Sequence, residues 1–249
     1  MDPQNVLFQD LGYQAYKPVW DYQEQLLQQN VAVKALAYAA GPATGSPLAE
    51  TTHHLLLVEH PPVYTLGKSG NPGNLLITEA ECASRGIAFY RINRGGDITF
   101  HGPGQVVGYP ILDLERFYTD IGRYLRNVEE VIIRTLSDYG IDGDRSPGET
   151  GVWLDPQVRG RERKICAIGV RCSRWITMHG FAFNVNTDLS YFEHIVPCGI
   201  RDKQVTSLQR ELSREMDLGE VRQRIRAHFE EVFSVRLLDA PDASAGPMG

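Results

Sequence analysis

Apolar positions recur along this chain with two periods, and their order predicts the elements. From Pro18 to about Ala40 the spacing is helical, with Trp20, Leu27 and Val31 on one face and Pro18 suited to a first turn. GPATGSP (Gly41–Pro47) is a loop. His54–Glu59 (HLLLVE) is a short apolar strand, stopped by Pro61 and Pro62. Val63–Gly67, Ile87–Asn93 and Gln105–Leu114 are further strands. Ile121–Tyr139 is the clearest helix: Leu125, Val128, Ile132 and Leu136 follow the 3,4 spacing, and Gly140 suits its C-terminal stop. Strands follow near Gly151–Leu154, Lys164–Val170 and Trp175–Asn184. Thr206 with Gln209 reads as a capping box for a short helix. Asp217 with Glu220 reads as a second, opening a helix to about Phe233 with Leu218, Val221, Ile225, Phe229 and Val232 as its buried stripe. The tail Asp239–Gly249 (DAPDASAGPMG) is expected to be disordered.

Strands come in runs, with helices before, between and after them. That order predicts an α+β fold with a mixed, mostly antiparallel sheet, helices packed on it and a small C-terminal piece. A doubly wound parallel sheet needs stricter alternation. There is no internal repeat and no long linker, so residues 1–238 read as a single domain, with 239–249 as its tail.

Composition narrows the function classes. The chain has 249 residues, 42% hydrophobic and 22% charged, which suits a soluble fold with a sizeable core. A net charge of −6 argues against a general nucleic-acid binder. No apolar run approaches the ~20 residues that span a bilayer. The segment MDPQNVLFQDLGYQAY lacks the basic start and apolar core of a secretory signal, so a cytoplasmic location is expected. The four cysteines, Cys82, Cys166, Cys172 and Cys198, form no CxxC pair, which argues against a zinc ribbon. Cys82, Cys166 and Cys172 read as small buried hydrophobes.

Three segments carry candidate chemistry. RGGDITFHGPGQVVGYP (Arg94–Pro110) holds Gly95, Gly96, Gly102 and Gly104 around His101. Glycines this dense let backbone approach a ligand closely, and a histidine there can move a proton; a plain turn between strands accounts for the same residues. Cys198 sits between Pro197 and Gly199, on a turn rather than inside a strand. Exposure is a precondition for a thiolate nucleophile, which also needs a nearby cation or base. Lys164 ends a charged turn and opens an apolar strand. It is either a solvated edge residue or a group aimed into a cleft, where Arg161 and Arg163 would crowd it with like charge. His101 or His179 could serve the same thiol; a metal site built from His101, His179 and Cys198 lacks ligand spacing. Gly169, Gly180 and Gly199, with Gly95 and Gly96, could offer N–H groups to an acyl carbonyl. Ala167, Ile168, Phe181, Ala182 and Phe183 suit a hydrocarbon slot, or ordinary core.

Together these segments resemble the lipoyl(octanoyl) transferase family. RGGDITFHGPGQVVGYP, KICAIGV, HGFAFNVN, VPCGI and VTSL occur in that family's order and spacing, and LGYQAYKPVWDYQEQLL is similar to its N-terminal helix. The resemblance runs from about Gln9 to Val235. It implies the α/β fold shared by biotin and lipoate protein ligases. It implies transfer of an octanoyl group from octanoyl-acyl carrier protein to a lysine of lipoyl domains, in 2-oxo acid dehydrogenase complexes and the glycine cleavage H protein. That is the first step of endogenous protein lipoylation. It further implies that Cys198 forms the thioester and that Lys164 is paired with it. Substrate contacts would fall on Arg94, Gly95, Gly96, Asp97, Ile98, Thr99, Phe100 and His101, on Ala167, Ile168 and Gly169, and on Gly180, Phe181 and Ala182. No metal, nucleotide or other cofactor is implied, and no nucleic acid or membrane partner. Because acyl carrier protein is acidic, docking would use local basic patches, with Arg159, Arg161, Arg163, Arg171 and Arg174 as candidates. The competing readings are an ATP-dependent lipoate or biotin ligase, and a non-catalytic module that binds lipoyl domains or acyl carriers.

Overall fold

The structure, a computed structural model, describes residues 3–39, 50–196 and 204–240. In chain order these form β1 (Gln4–Tyr13), α1 (Tyr16–Ala39), β2 (His53–Glu59), β3 (Val63–Leu66), α2 (Glu79–Ser84), β4 (Ala88–Arg91), β5 (Ile98–His101), β6 (Gln105–Ile111) and α3 (Ile121–Ser137). There follow β7 (Asp144–Ser146), β8 (Glu149–Leu154), β9 (Arg163–Ser173), β10 (Ile176–Asn184), β11 (Gln204–Val205), α4 (Leu208–Leu212), α5 (Leu218–Phe233) and β12 (Val235–Asp239). The main sheet runs β12-β1-β2-β6-β10-β9-β8-β7, with β11 added to β9. The pairs from β2 through β7 along it are antiparallel; β1 is parallel to both β2 and β12. A small second sheet, β4-β3-β5, carries the chain into and out of Arg94. The expected mixed, mostly antiparallel α+β fold is what forms.

The main sheet is covered on both faces, and this explains the unbroken apolar run of β2. Leu55 and Leu57 point into the core under α3 and α5, while Leu56 and Val58 point into the core under α1. All four are fully buried. Each such side chain removed from water contributes about 1.5–3 kcal/mol. In α5 Val221, Ile225 and Phe229 of the predicted stripe are buried, joined by Phe233, while Leu218 and Val232 are only partly buried against the same core. In α3 Val128, Ile132 and Leu136 are buried as expected, and Gly140 closes the helix at φ +71°.

Four expectations change. The buried face of α1 is Tyr16, Val19, Gln23, Leu26, Leu27, Asn30 and Lys34, while Trp20 and Val31 lie at its margin. Polar residues enter that face because each finds a partner. Asn30 exchanges two hydrogen bonds with the Thr52 backbone, and Lys34 pairs with Asp113 and Glu115 at 2.8 and 2.9 Å. The cap of α4 is Ser207, whose hydroxyl accepts from the Arg210 N–H; Thr206 instead donates to Glu211. At α5 Asp217 caps as expected, but Glu220 turns to Arg224 rather than back to the cap. The C-terminal piece is no separate unit, because β12 extends the main sheet along β1. The loop Gly41–Pro47 and residues 241–249 lie outside the described residues. No helix among the described residues is long and apolar enough to cross a membrane.

Candidate active site

Two local irregularities in the β8-β9-β10 meander build the site. The β9-β10 turn is Arg174-Trp175, both with left-handed φ (49° and 65°), the signature of a tight hairpin turn matched to strand twist. The second is a bulge in β9. Leu154 pairs with Arg163 and Trp153 with Lys164, but Val152 pairs with Cys166, so Ile165 is an extra residue. Strict alternation would place Lys164 on the opposite face from Ala167. The bulge sends Ile165 and Cys166 together into the core under α3 and leaves Lys164 on the cleft side with Ala167 and Gly169.

The cleft between β9-β10 and the Gly-rich segment gathers most of the sequence candidates. Arg94, Gly96, Asp97, Ile98, Thr99, His101, Lys164, Ala167, Ile168, Gly169, Gly180, Phe181 and Ala182 all line it. Gly95 and Phe100 do not. The Gly95 N–H donates to the Val170 carbonyl and fastens the loop to β9. Phe100 is on the other face of β5, stacked on Tyr191 at 4.5 Å inside the small sheet's core. Asp97 touches the cleft, but its carboxylate also accepts from the Asn71 and Ile98 N–H groups and from Asn74, which ties the 67–74 strap down. Gly169 is required for close approach, since a Cβ there would stand 2.8 Å from the Gly95 carbonyl oxygen.

Tyr16, Val107, Tyr109 and His179 complete the lining. The first three were missed, because Tyr16 reads as part of an ordinary helix start and Val107 and Tyr109 as part of a fully buried strand; only the fold turns them to the cleft. His179 is the alternative to His101 that the sequence offers for serving the thiol. It lies mid-strand with φ +61°, a strained position for a side-chain-bearing residue, and its Nε2 lies 3.0 Å from Asn93 Oδ1.

The inner end of the cleft is a polar network in which the histidine tautomers are defined. His60 must donate from Nδ1 to the Gln14 carbonyl at 2.7 Å, so its Nε2 accepts from the Tyr109 hydroxyl at 2.8 Å. Gln105 donates its amide to Phe100 and Asn184, so its oxygen accepts from His101 Nδ1 at 2.9 Å. His101 also stacks on Tyr16, with ring centroids 5.7 Å apart. Arg94 donates to the carbonyl and hydroxyl of Thr65. Burial pushes His60 down to about 4 and His179 to about 3, and it holds His101 well below the usual imidazole range. Burial also lowers His53 and His54 to about 4.

These depressed histidines set an acid limit on the fold. The unfolded chain binds their protons below about 6.5 whereas the fold does not, so unfolding takes up protons. Stability is present in full above that pH and is lost as pH falls toward 4. Each contributes about 1–2 kcal/mol of loss by pH 5. The melting temperature should therefore drop by at least ~5 °C between pH 7 and pH 5; a flat profile in a thermal melt series contradicts the burial argument.

Lys164 is buried at the outer part of the cleft. Its Nζ donates to the Thr150 carbonyl at 3.3 Å and lies 4.6 Å over the Trp153 ring. The expected crowding by arginines is answered by ion pairs. Arg163 turns to Glu211 and Asp155 at 2.7 and 2.6 Å, and Arg161 to Asp155 at 3.2 Å. Arg171 pairs with Glu24 at 2.6 Å. Three of the five arginines expected to form a docking patch are thus in ion pairs with carboxylates.

Cys198 lies outside the described residues. Its described flanks, Val196 and Gln204, both line a surface groove that also contains Phe192 and Val205. Phe192 and Val205 in turn line a small recess with Lys164, Ala167 and Ala182. The recess thus shares Phe192 and Val205 with the groove and Lys164, Ala167 and Ala182 with the cleft, so the three adjoin at these residues. Cys82 and Cys166 are buried, as expected, with Cys166 held well above the usual thiol range by burial. Cys172 is exposed near the β9-β10 turn rather than buried. Among the described residues no group of three or more His, Cys, Asp or Glu is arranged to hold a metal ion.

A narrow cleft with an apolar stretch, a buried amine at its outer part and Gly-rich backbone along one side has the parts an acyl- or lipoyl-handling catalytic domain needs. The chain belongs to the lipoyl protein ligase A/B catalytic domain family, whose model matches residues 16–230. It is 55% identical to the octanoyltransferase of Christiangramia forsetii, over 93% of this chain and 97% of that one. It is 53% identical to the octanoyltransferase of Flavobacterium psychrophilum, over 94% of this chain and 98% of the other. In three dimensions it resembles the bi-partite lipoate protein ligase of Thermoplasma acidophilum, with a TM-score of 0.64, 17% identity, and 96% and 87% of the two chains covered. That likeness is one of fold and agrees with the lipoate-ligase architecture expected from the sequence.

Proposed function

We propose that this protein is an octanoyltransferase of protein lipoylation, using octanoyl-acyl carrier protein as donor and a lysine of a lipoyl domain as acceptor. Residues 1–238 act as one catalytic domain. The observation that carries the mechanism is the placement of Lys164 by the β9 bulge, at the junction of the apolar cleft and the groove that the chain flanking Cys198 borders. The acyl chain lies against Val107, Ala167, Ile168, Phe181 and Ala182 with its carbonyl toward Lys164. The Cys198 thiolate attacks the thioester carbonyl and the carrier's thiol leaves, taking the proton that Lys164 received from Cys198. The neutral acceptor amine then attacks the Cys198 thioester and gives a proton to Lys164; the C–S bond breaks as the amide forms, and Lys164 passes that proton to the departing Cys198 thiolate. An amide is more stable than a thioester, so the transfer runs downhill without ATP.

Purified protein treated with EDTA and apyrase should still octanoylate an apo lipoyl domain from octanoyl-acyl carrier protein, and should fail with free octanoate plus ATP and Mg²⁺. Mass spectrometry of the acceptor reads both. Modification from free octanoate only in the presence of ATP would replace this reading with an ATP-dependent ligase.

A further inference from the structure

Glu129 breaks the pattern of its helix. It lies on the buried face of α3 among Val128, Val131 and Ile132, and its side chain is fully enclosed. A buried carboxylate costs free energy unless it is paired and hydrogen-bonded, and here it is both. One oxygen receives Arg126 at 2.8 Å and Arg145 at 3.0 Å. The other accepts from the Gly151 N–H at 3.0 Å.

That N–H belongs to the same peptide unit as the Thr150 carbonyl, to which Lys164 Nζ donates. The two bonds leave the peptide in opposite directions, so one rigid plane joins the carboxylate to the ammonium. A carboxylate on the N–H side polarises the unit and strengthens its carbonyl as an acceptor. The peptide cannot be held there by an ordinary residue: Gly151 has φ +125°, and a Cβ would stand 2.6 Å from the Cys166 carbonyl oxygen and 3.4 Å from Lys164 Cε. The bulge at Ile165 on the facing strand completes the arrangement. We propose that Glu129 is a positioning residue that acts through the Thr150–Gly151 peptide to hold the Lys164 ammonium in place for acyl transfer. The inference rests on the reading of Lys164 as the acid/base of that transfer.

Glutamine is the informative replacement, because it preserves volume but cannot accept on both sides. With its oxygen toward the two arginines, its amide nitrogen faces the Gly151 N–H, donor against donor. Glu129→Gln should lower kcat for octanoyl transfer about 10-fold or more, as expected for a misplaced catalytic group, while KM for octanoyl-acyl carrier protein stays within about 2-fold. In a Lys164→Ala background the same change should cost nothing further, because two residues acting as one unit are not additive. Glu129→Ala serves as a second variant, with circular dichroism and melting temperature reporting its fold. Wild-type kcat in Glu129→Gln, or an equal loss with and without Lys164, would overturn the inference while leaving the role of Lys164 intact. A Lys164→Ala protein that transfers at the wild-type rate would instead remove the reading beneath it, and the inference with it.

Discussion

Lys164→Ala is expected to slow octanoyl transfer by about 10²-fold or more, the usual cost of removing a general acid/base. Both half-reactions should slow: formation of the acyl-enzyme from octanoyl-acyl carrier protein, and its discharge to a lipoyl domain. The fold should survive, because the lysine lies near the start of β9 at the outer part of the cleft, and its loss removes only the contacts of Nζ with the Thr150 carbonyl and the Trp153 ring. Lys164→Arg should rescue little. A guanidinium is longer and planar, stays protonated, and cannot take a proton from a thiol. It would also have to displace the contact with the Thr150 carbonyl that fixes the amine. Single-turnover kinetics read by intact mass separate the two steps. Wild-type rates in Lys164→Ala would make this residue a structural strand end and leave the cleft without a proton carrier on β9.

The larger effect is expected at Cys198. Cys198→Ala should show no acyl-enzyme and a transfer rate reduced on the order of 10⁴-fold or more, since removing the nucleophile closes the covalent route that Lys164 only assists. Wild-type protein mixed with donor alone should gain one octanoyl mass that hydroxylamine removes. Cys198→Ser should lose the adduct or hold it as a hydroxylamine-resistant ester, because an alcohol is the poorer nucleophile. The other cysteines are poor substitutes. Cys82 lies in the small sheet's core, and Cys166 faces the core under α3, so neither thiol reaches the cleft despite the closeness of Cys166 to Lys164 in sequence. Cys172 sits near the turn at the far end of the β9-β10 hairpin. A labile octanoyl adduct of full yield on Cys198→Ala would therefore overturn the covalent mechanism as proposed.

Much of the fold was legible because the main sheet and its helices obey simple periods. The 3,4 spacing of α3 and α5 and the unbroken run of β2 are direct consequences of how each element is buried. What was not legible had local causes. β1 carries no clean alternation, being half-exposed along most of its length. β5 is hidden inside the Gly-rich segment, where the turn signals of Gly95, Gly96, Gly102 and Gly104 overwhelm four strand residues. The β9-β10 turn uses Arg174 and Trp175 in a geometry that sequence rules reserve for Asn and Gly. Its cost is carried by the long antiparallel ladder it joins.

For the site, the residue types themselves determined the chemistry on offer: glycines that admit backbone, a lysine at a loop-to-strand boundary, a cysteine on a turn, and apolar neighbours for an acyl chain. Those are properties of composition and local spacing, and they hold whatever the chain does next. Which side chains face the cleft was decided only by long-range pairing. One extra residue, Ile165, reverses the facing of β9 and delivers Lys164 beside Ala167. The β5 pleat sends Thr99 and His101 toward the cleft and Phe100 away from it. Tyr16 and Tyr109 join the site from α1 and β6 because the fold stacks Tyr16 on His101 and brings the Tyr109 hydroxyl to His60. Glu129 reaches Lys164 through a peptide of another strand, a connection with no trace in sequence spacing. Side-chain direction depends on register and bulges, and these are fixed by the packing of the whole sheet rather than by any segment of it.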